Sequence, residues 1–199
     1  MFSQHIILAL FWTGYFLLHS LLADMRVKQK MRQLTGRFFK YYRSLYNAIA
    51  LVLLATLMIW QIKLPSKRIW APFIPQYILG ALMMFLGFTG MVLILKKYFF
   101  SSNGFRDLFL EGGKPVLVTN GLHRWVRHPL YMGTFLFIWG FFLLVPAWSL
   151  LITNILITVY TLLAIQLEEK KLVSIFGEQY IQYQKEVPMI WPRMGKIIT

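Results

Sequence analysis

The chain has 199 residues, of which 58% are hydrophobic and only 14% are charged. Soluble domains have roughly 45–50% apolar and about 25% charged residues, so this composition excludes a disordered chain and argues against a water-soluble globule. The absence of cysteine excludes disulfides, zinc–thiolate sites and cysteine nucleophiles. A net charge of +14 would suggest nucleic acid in a soluble protein, but in so apolar a chain it indicates basic loops at a membrane surface.

The predicted elements are five membrane-spanning helices. Residues 6–23, 45–62 and 74–95 each form an apolar run close to the roughly 20 residues that a span requires. Residues 130–165 form one run of 36 residues, and Pro146 near its middle would break a helix. This run is therefore predicted to be a tight helical hairpin. The sequence predicts an all-α integral membrane protein, with a four-span arrangement as the second choice.

The basic residues predict the orientation of these spans. Segments 24–44, 96–129 and 168–199 hold seven, six and five Lys and Arg residues, whereas segment 63–73 holds three. With five spans, the three most basic segments share one side, and the positive-inside rule assigns that side to the cytoplasm. The N-terminus is then expected outside and the C-terminus inside.

We interpret residues 1–199 as a single membrane domain, with three spans in 1–95 and a second part in 96–199 that contains the last two spans and both polar segments. The long cytoplasmic segment 96–129 is of a length that is often functional. In the final segment, apolar residues recur every three or four positions, which predicts an amphipathic surface helix with Gly177 as its weak point. These residues are Leu172, Phe176, Tyr180, Tyr183 and Val187.

Glycines in the third span predict a close helix–helix contact. Gly80, Gly87 and Gly90 lie within an apolar run, where small residues allow two backbones to approach each other. No glycine-rich nucleotide-binding motif or metal-binding motif accompanies them in the sequence. We therefore expect packing rather than phosphate binding, and no metal site.

The densest polar cluster runs from residue 121 to 131, where the fourth span begins. Pro129 is typical of a first helical turn, and the free N–H groups of such a helix start attract a carboxylate or phosphate. An interfacial belt would explain Arg124, Trp125 and Tyr131, but it explains His128 less well. A functional role is accordingly predicted for His128.

Two further sets of polar residues are candidates. Glu168 and Glu169 directly follow the last apolar run, either as a helix end reaching water or as part of a site. A weaker set lies near the cytoplasmic ends of the first two spans: His19, Ser20, Arg43, Tyr46 and Asn47. Polar groups within spans usually face the bundle interior or a cavity, although simple interfacial placement is the alternative.

These motifs resemble those of membrane-embedded methyltransferases related to isoprenylcysteine carboxyl methyltransferase. That group includes phospholipid methyltransferases, NnrU-type proteins and methanethiol S-methyltransferases. The resemblance covers about residues 114–192 and depends on the order and spacing of four motifs. They are RHPxYxG at 127–133, EE at 168–169, FGxxYxxY at 176–183 and VPxxxP at 187–192. The N-terminal half, with HSLLA at 19–23, is similar to the NnrU and methanethiol methyltransferase branch.

The resemblance implies S-adenosylmethionine as the methyl donor, S-adenosylhomocysteine as the product, and a binding site at the cytoplasmic mouth. His123 departs from the family pattern, in which relatives usually carry Tyr, so only a backbone role is carried over there. The cofactor-binding residues implied by position are Val118, Gly121, Arg124, His128, Pro129, Tyr131, Glu168 and Glu169.

The expected acceptor is a small or lipid-like molecule, with a thiol or carboxylate favoured, that arrives from the bilayer among membrane lipids. Arg127 or Arg43 could orient an anionic acceptor, and His19 and Asn47 are candidates for contacting it. The alternative is a catalytically silent protein of the NnrU type with a transport or assembly role. A nucleic acid partner is not expected, because the basic residues sit between apolar spans.

Overall fold

The computed structural model of the protein describes residues 2–100 and 116–192, but not the side chains of Phe2, Arg43 and residues 97–100. Within these ranges the chain forms α-helices, two short 3₁₀ turns and one isolated β-bridge. The central part of the predicted cytoplasmic loop, 101–115, and the end of the tail lie outside the described residues. The α-helices are α1 (Phe2–Ala23), α2 (Met25–Thr35), α3 (Tyr42–Lys63), α4 (Ile74–Phe100), α5 (Pro129–Leu144), α6 (Trp148–Phe176) and α7 (Glu178–Glu186).

The protein is a multi-pass, all-α membrane protein, as the sequence predicts. Four helices, α1, α3, α4 and α6, are long and apolar enough to cross a bilayer. The fifth, α5, is apolar but has only 16 residues, so it extends about 24 Å against a hydrocarbon core of roughly 30 Å. The predicted hairpin is confirmed, because α5 and α6 are separated by a turn that contains Pro146.

The segment between α3 and α4 covers the turn of this hairpin. The backbone N–H of Ile69 donates to the carbonyl of Pro146 at 2.7 Å. The side chain of Gln76, itself buried, donates to the carbonyl of Leu143 at 2.8 Å. These bonds satisfy backbone groups that the end of α5 leaves without intrahelical partners.

Glycines bring α4 and α5 into backbone contact. Gly80 of α4 faces Gly140 of α5, and Gly87 faces Gly133, so the two helices run antiparallel. A Cβ atom added at Gly87 would lie 2.5 Å from the carbonyl oxygen of Gly133. The expectation for Gly90 is wrong, because a Cβ there would meet nothing within 4 Å.

Hydrogen bonds inside the bundle join α1, α3 and α6. Gln61 of α3 accepts from the indole of Trp12 at 3.1 Å and from the hydroxyl of Thr153 at 3.0 Å. Trp12 also belongs to a buried apolar cluster with Leu8, Phe16 and Leu57. In lipid, where apolar burial drives helix association weakly, such polar ties and close packing hold helices together.

The basic segment after α1 is helical rather than a simple loop. Asp24 begins α2 by accepting hydrogen bonds from the backbone N–H groups of Arg26 at 2.8 Å and Val27 at 3.4 Å. This is an N-cap, which satisfies donors that a helix start leaves free. No residue of α2 is buried, so this short helix lies on the surface of the described structure.

The predicted amphipathic surface helix is divided into two elements. Helix α6 continues past the glutamate pair to Phe176, and Gly177 then adopts a φ of +56° that other residues rarely take. The short helix α7 follows. The predicted apolar face nevertheless packs together, because Tyr180, Tyr183 and Val187 form a buried cluster against Leu172 and Phe176.

Replacing Gly87 by alanine is expected to lower the melting temperature of the purified protein. The new methyl group would clash with backbone atoms of α5, which cannot move aside cheaply, at a cost of about 1–3 kcal/mol. The matched control is Gly90→Ala, which adds the same group in the same helix where space is open. Calorimetry in detergent that shows equal melting for both variants would contradict the contact.

Candidate functional site

The C-terminal segment returns to the start of α5 and pairs with the RHP motif. The backbone N–H of Arg127 donates to the carbonyl of Pro188 at 2.9 Å, and that of His128 donates to the carbonyl of Met189 at 3.0 Å. The next residue, Ile190, is buried with Phe135 of α5. Motifs that are 60 residues apart in the sequence therefore lie side by side.

Glu169 is the centre of this arrangement. Its Oε1 accepts from Arg127 Nε at 2.7 Å, lies 3.0 Å from His128 Nε2, and accepts from the Tyr180 hydroxyl at 3.4 Å. Its Oε2 accepts from Gln184 Nε2 at 2.9 Å. The side chain is only 13% exposed, and its acceptor capacity is largely taken up by protein groups. Glu169 therefore ties α6 to the RHP motif and to α7.

Arg127 and Tyr180 add further hydrogen bonds between the RHP motif, Glu169 and α7. Arg127 Nη1 donates to the backbone carbonyls of Gln184 and Val187, where α7 ends. Burial and the negative charge of Glu169 raise the pKa of the Tyr180 phenol, so it stays protonated as a donor. The described hydrogen bonds of Arg127, which we expected to orient an acceptor, thus go to the protein itself.

Glu168 has a different environment from its neighbour. It is exposed, and its Oε2 accepts one hydrogen bond, at 3.2 Å, from the hydroxyl of Tyr131. The Tyr131 ring in turn stacks on the ring of His128 with centroids 5.7 Å apart. The carboxylate of Glu168 is consequently available to a ligand.

Glu168 and Tyr131 line a cavity of about 320 Å³ beside the start of α5. His128 precedes α5 without a side-chain cap, and Pro129 occupies the first helical turn. Leu130 and Tyr131 of that turn line the cavity, and their backbone N–H groups have no acceptor within the helix. Leu172 and Phe176 supply apolar walls. The expected cofactor-binding residues that line this cavity are Val118, His128, Pro129, Tyr131 and Glu168.

Three expected cofactor residues do not line this cavity. Glu169 is one of them, and its described hydrogen bonds go to protein groups. The other two are Gly121 and Arg124. Gly121 begins the 3₁₀ turn Gly121–Arg124 with a φ of +66°. Arg124 lines an adjacent groove of about 590 Å³ together with Gln179 and Glu186. The backbone carbonyl of His123, in the same turn, accepts a 2.6 Å hydrogen bond from the Tyr183 hydroxyl. This contact lies within the protein, and a backbone role of His123 toward the cofactor stays a prediction.

A second group of polar residues lies among α1, α3 and α6. The Tyr46 hydroxyl is 3.0 Å from the ring nitrogens of His19, and the hydroxyls of Ser20 and Tyr160 are 3.1 Å apart. Tyr15 stacks on His19 with centroids 5.9 Å apart. We refer to Tyr15, His19, Ser20, Tyr46 and Tyr160 as the His19 cluster.

Two expected acceptor residues stand apart from this cluster. Asn47 is exposed on α3 and takes part in none of the described hydrogen bonds of the cluster. Arg43 lies in the first turn of α3, and its side chain is outside the described part of the structure.

Sequence reasoning missed Gln184 and Tyr160. Tyr160 carried a signal, because a polar ring within an apolar span is costly unless it has a partner. Gln184 carried none, since only the folded chain brings it to Glu169.

Comparison with known proteins gives the family. A sequence profile of the phospholipid methyltransferase family matches residues 75–179. The chain belongs to this family. The match begins in α4 and ends in α7, so it includes the RHP motif, the glutamate pair and the cavity between them.

Individual relatives of this family are also similar. The methanethiol S-methyltransferase of Pseudomonas deceptionensis is 31% identical over 191 residues, which cover 89% of this chain and 69% of the relative. That of Crocosphaera subtropica is 34% identical over 164 residues, which cover 76% of this chain and 60% of the relative. The protein-S-isoprenylcysteine O-methyltransferase of Tribolium castaneum is 39% identical over 79 residues, 36% of this chain and 26% of that protein. The chain thus spans only part of the length of these relatives, and no solved structure matches it significantly.

Replacing Glu169 by glutamine is expected to destabilise the fold, whereas Glu168→Gln is not. Glu169 pairs with Arg127 in a nearly buried position, and removing one charge of such a pair costs about 3 kcal/mol or more. Glu168 is exposed, and a glutamine there still accepts the bond from Tyr131, so the free energy of unfolding should change by less than about 0.5 kcal/mol. Differential scanning calorimetry in detergent compares the pair, and equal losses in both variants would refute the distinction.

Proposed function

We propose that the protein is an integral membrane methyltransferase that uses S-adenosylmethionine to methylate a small or lipophilic acceptor, most favourably a thiol. The observation that carries this proposal is the cavity beside the start of α5. It combines an exposed carboxylate, free helix N–H groups and apolar walls in one small space. Its volume of about 320 Å³ falls within the range of roughly 300–1,000 Å³ that small-molecule sites occupy.

The residues of the cavity fit the chemical groups of this cofactor. Glu168 can accept hydrogen bonds from an ammonium group or a ribose diol. The N–H groups at the start of α5 can bind a carboxylate, since a helix N-terminus attracts negative charge. Leu172 and Phe176 offer apolar surface to a planar base. The remaining expected contacts are Val118, His128, Pro129 and Tyr131, with Gly121 and Arg124 at the rim.

The chain contributes positioning and exclusion of water. The bound cofactor supplies a methyl group already activated by a sulfonium, so catalysis needs alignment of the two reactants more than acid–base chemistry. Glu169 and Arg127 serve this task indirectly, because they hold α7 and the C-terminal segment against His128. We assign both a positioning role.

A thiol acceptor is favoured over a carboxylate. Relatives named for methanethiol match 76% and 89% of this chain, so their matches must reach into its N-terminal half, whereas the relative named for isoprenylcysteine matches 36%. The acceptor site is expected to involve the N-terminal helices, so the longer matches carry more weight. S-adenosylhomocysteine is then the second product.

We also propose that the cavity faces the cytoplasm. The segments 24–44, 96–129 and 168–199 hold 18 of the 21 Lys and Arg residues, and these flank the cavity end of the helices. The N-terminus would then lie outside and the C-terminus inside.

Glu168→Gln is expected to weaken binding of S-adenosylmethionine and S-adenosylhomocysteine by about 10–100-fold, because one charge-assisted hydrogen bond of roughly 1.5–3 kcal/mol is lost. Calorimetric titration of the detergent-purified protein measures this. The matched control is Glu178→Gln, which removes an exposed carboxylate outside the cavity lining. Unchanged affinity in Glu168→Gln, or no binding by the folded unmodified protein, would overturn the proposal.

A reporter enzyme that works only in the cytoplasm is expected to be active when it is fused after Thr199. A reporter that works only after export is expected to be inactive at the same position. The basic segments on the cavity side should remain in the cytoplasm during insertion. Paired fusions of a cytoplasmic and an exported reporter at the same position give the comparison. Activity of the exported reporter alone would reverse the proposed orientation.

A further inference from the structure

The His19 cluster gathers polar rings within the apolar part of the bundle. The imidazole of His19 is bordered by Tyr46 at 3.0 Å, by the stacked ring of Tyr15 at 5.9 Å and by the edge of Tyr160 at 6.5 Å between centroids. His19, Tyr46 and Tyr160 are all partly accessible rather than sealed in the core. Polar and ionisable groups inside a membrane are costly and commonly mark a ligand site or pathway.

The cluster adjoins the cofactor cavity on the side toward the bilayer centre. Tyr160 precedes Glu168 by eight residues on α6, which corresponds to about 12 Å along the helix axis. Tyr131 lies at the cavity end of this distance, because it lines the cavity and donates to Glu168. A molecule dissolved in lipid would therefore reach the cluster before the cavity.

We propose that the His19 cluster binds the methyl acceptor as a small neutral thiol and that His19 accepts the proton of that thiol. This inference rests on the proposed methyltransferase function. The Tyr46 hydroxyl lies 3.0 Å from both ring nitrogens of His19. A neutral imidazole has one N–H and one lone pair, so in the tautomer whose N–H donates to Tyr46 the other nitrogen carries the lone pair that accepts the thiol proton. The surrounding aromatic rings also favour sulfur, since sulfur–aromatic contacts are attractive.

Transfer of the thiol proton to His19 accounts for every atom and charge in the methyl transfer. The thiol sulfur forms a bond to the methyl carbon with its own electron pair, and the bond between that carbon and the sulfonium of the methyl donor breaks. The S–H proton passes to the lone pair of His19, which later releases it to water. A carboxylate acceptor would need no such base, because it is ionised at neutral pH.

His19→Gln is expected to slow methylation of ethanethiol by about 100-fold or more, as loss of a general base does. Methylation of 4-nitrobenzenethiol, which is already ionised at neutral pH, should change less than about threefold. The matched control is His5→Gln, whose side chain is bonded to Ser66 at the opposite end of α1. Retained cofactor binding in calorimetry establishes that each variant is folded. Equal losses on both thiols would overturn the role of His19 as a base.

A binding measurement on the unmodified protein, without cofactor, tests the site separately. The chain has four histidines, so ring-labelled histidine gives few NMR signals, which single His→Gln variants assign directly or by elimination. Ethanethiol added to the protein in lipid nanodiscs should shift the His19 signals and leave those of His5 unchanged. Unshifted His19 signals would overturn the inference even if S-adenosylmethionine binds. Failure of the proposed function would instead appear as absent cofactor binding.

Discussion

The carboxylate of Glu169 is the interaction on which the arrangement of the site depends. It receives hydrogen bonds from the RHP motif and from α7, and Arg127 of that motif also donates to the backbone carbonyl of Gln184 in α7. A nearly buried negative charge is stable only when it is paired and hydrogen-bonded, so the position of each donor is constrained by the others. The pairing in turn fixes the C-terminal segment against the start of α5, which forms one side of the cavity.

Two adjacent glutamates can serve separate purposes because they lie on a helix. Successive residues of an α-helix point about 100° apart, so Glu169 faces α7 while Glu168 faces the cavity mouth. The carboxylate of Glu169 is hydrogen-bonded to protein groups, whereas that of Glu168 can still accept hydrogen bonds from a ligand. The same geometry explains why α6 continues for two turns beyond the membrane part, since it must carry both side chains and then reach Phe176.

The bilayer imposes a second constraint, which acts through α4 and α5. Helix α5 is short, and its position depends on backbone contact with α4 at two glycine pairs. Because lipid provides little apolar driving force between helices, this close packing fixes where α5 begins and hence where its free N–H groups point. The membrane-embedded packing and the polar site outside it are therefore coupled through one helix.

The sequence by itself determined the helical class, the spans, the hairpin at Pro146 and the motifs of the site. These features are local, since they depend on the length of apolar runs, on proline and on residue order. One inference failed because it needed the neighbouring helix: Gly90 faces open space rather than a close contact. The division of the surface helix at Gly177 is local, because the positive φ there is one that glycine adopts readily.

Only the tertiary structure decided how the polar residues divide. Arg127 and Glu169 pair with each other, whereas Glu168 lies beside the cavity. Tyr160 contacts Ser20, which is distant in the sequence, and Gln184 donates to Glu169 of another helix. Residue type fixes what a side chain can donate or accept, but a partner is chosen by packing of segments distant in sequence. The sequence therefore specified which groups were available, and the fold specified which of them remain for a ligand.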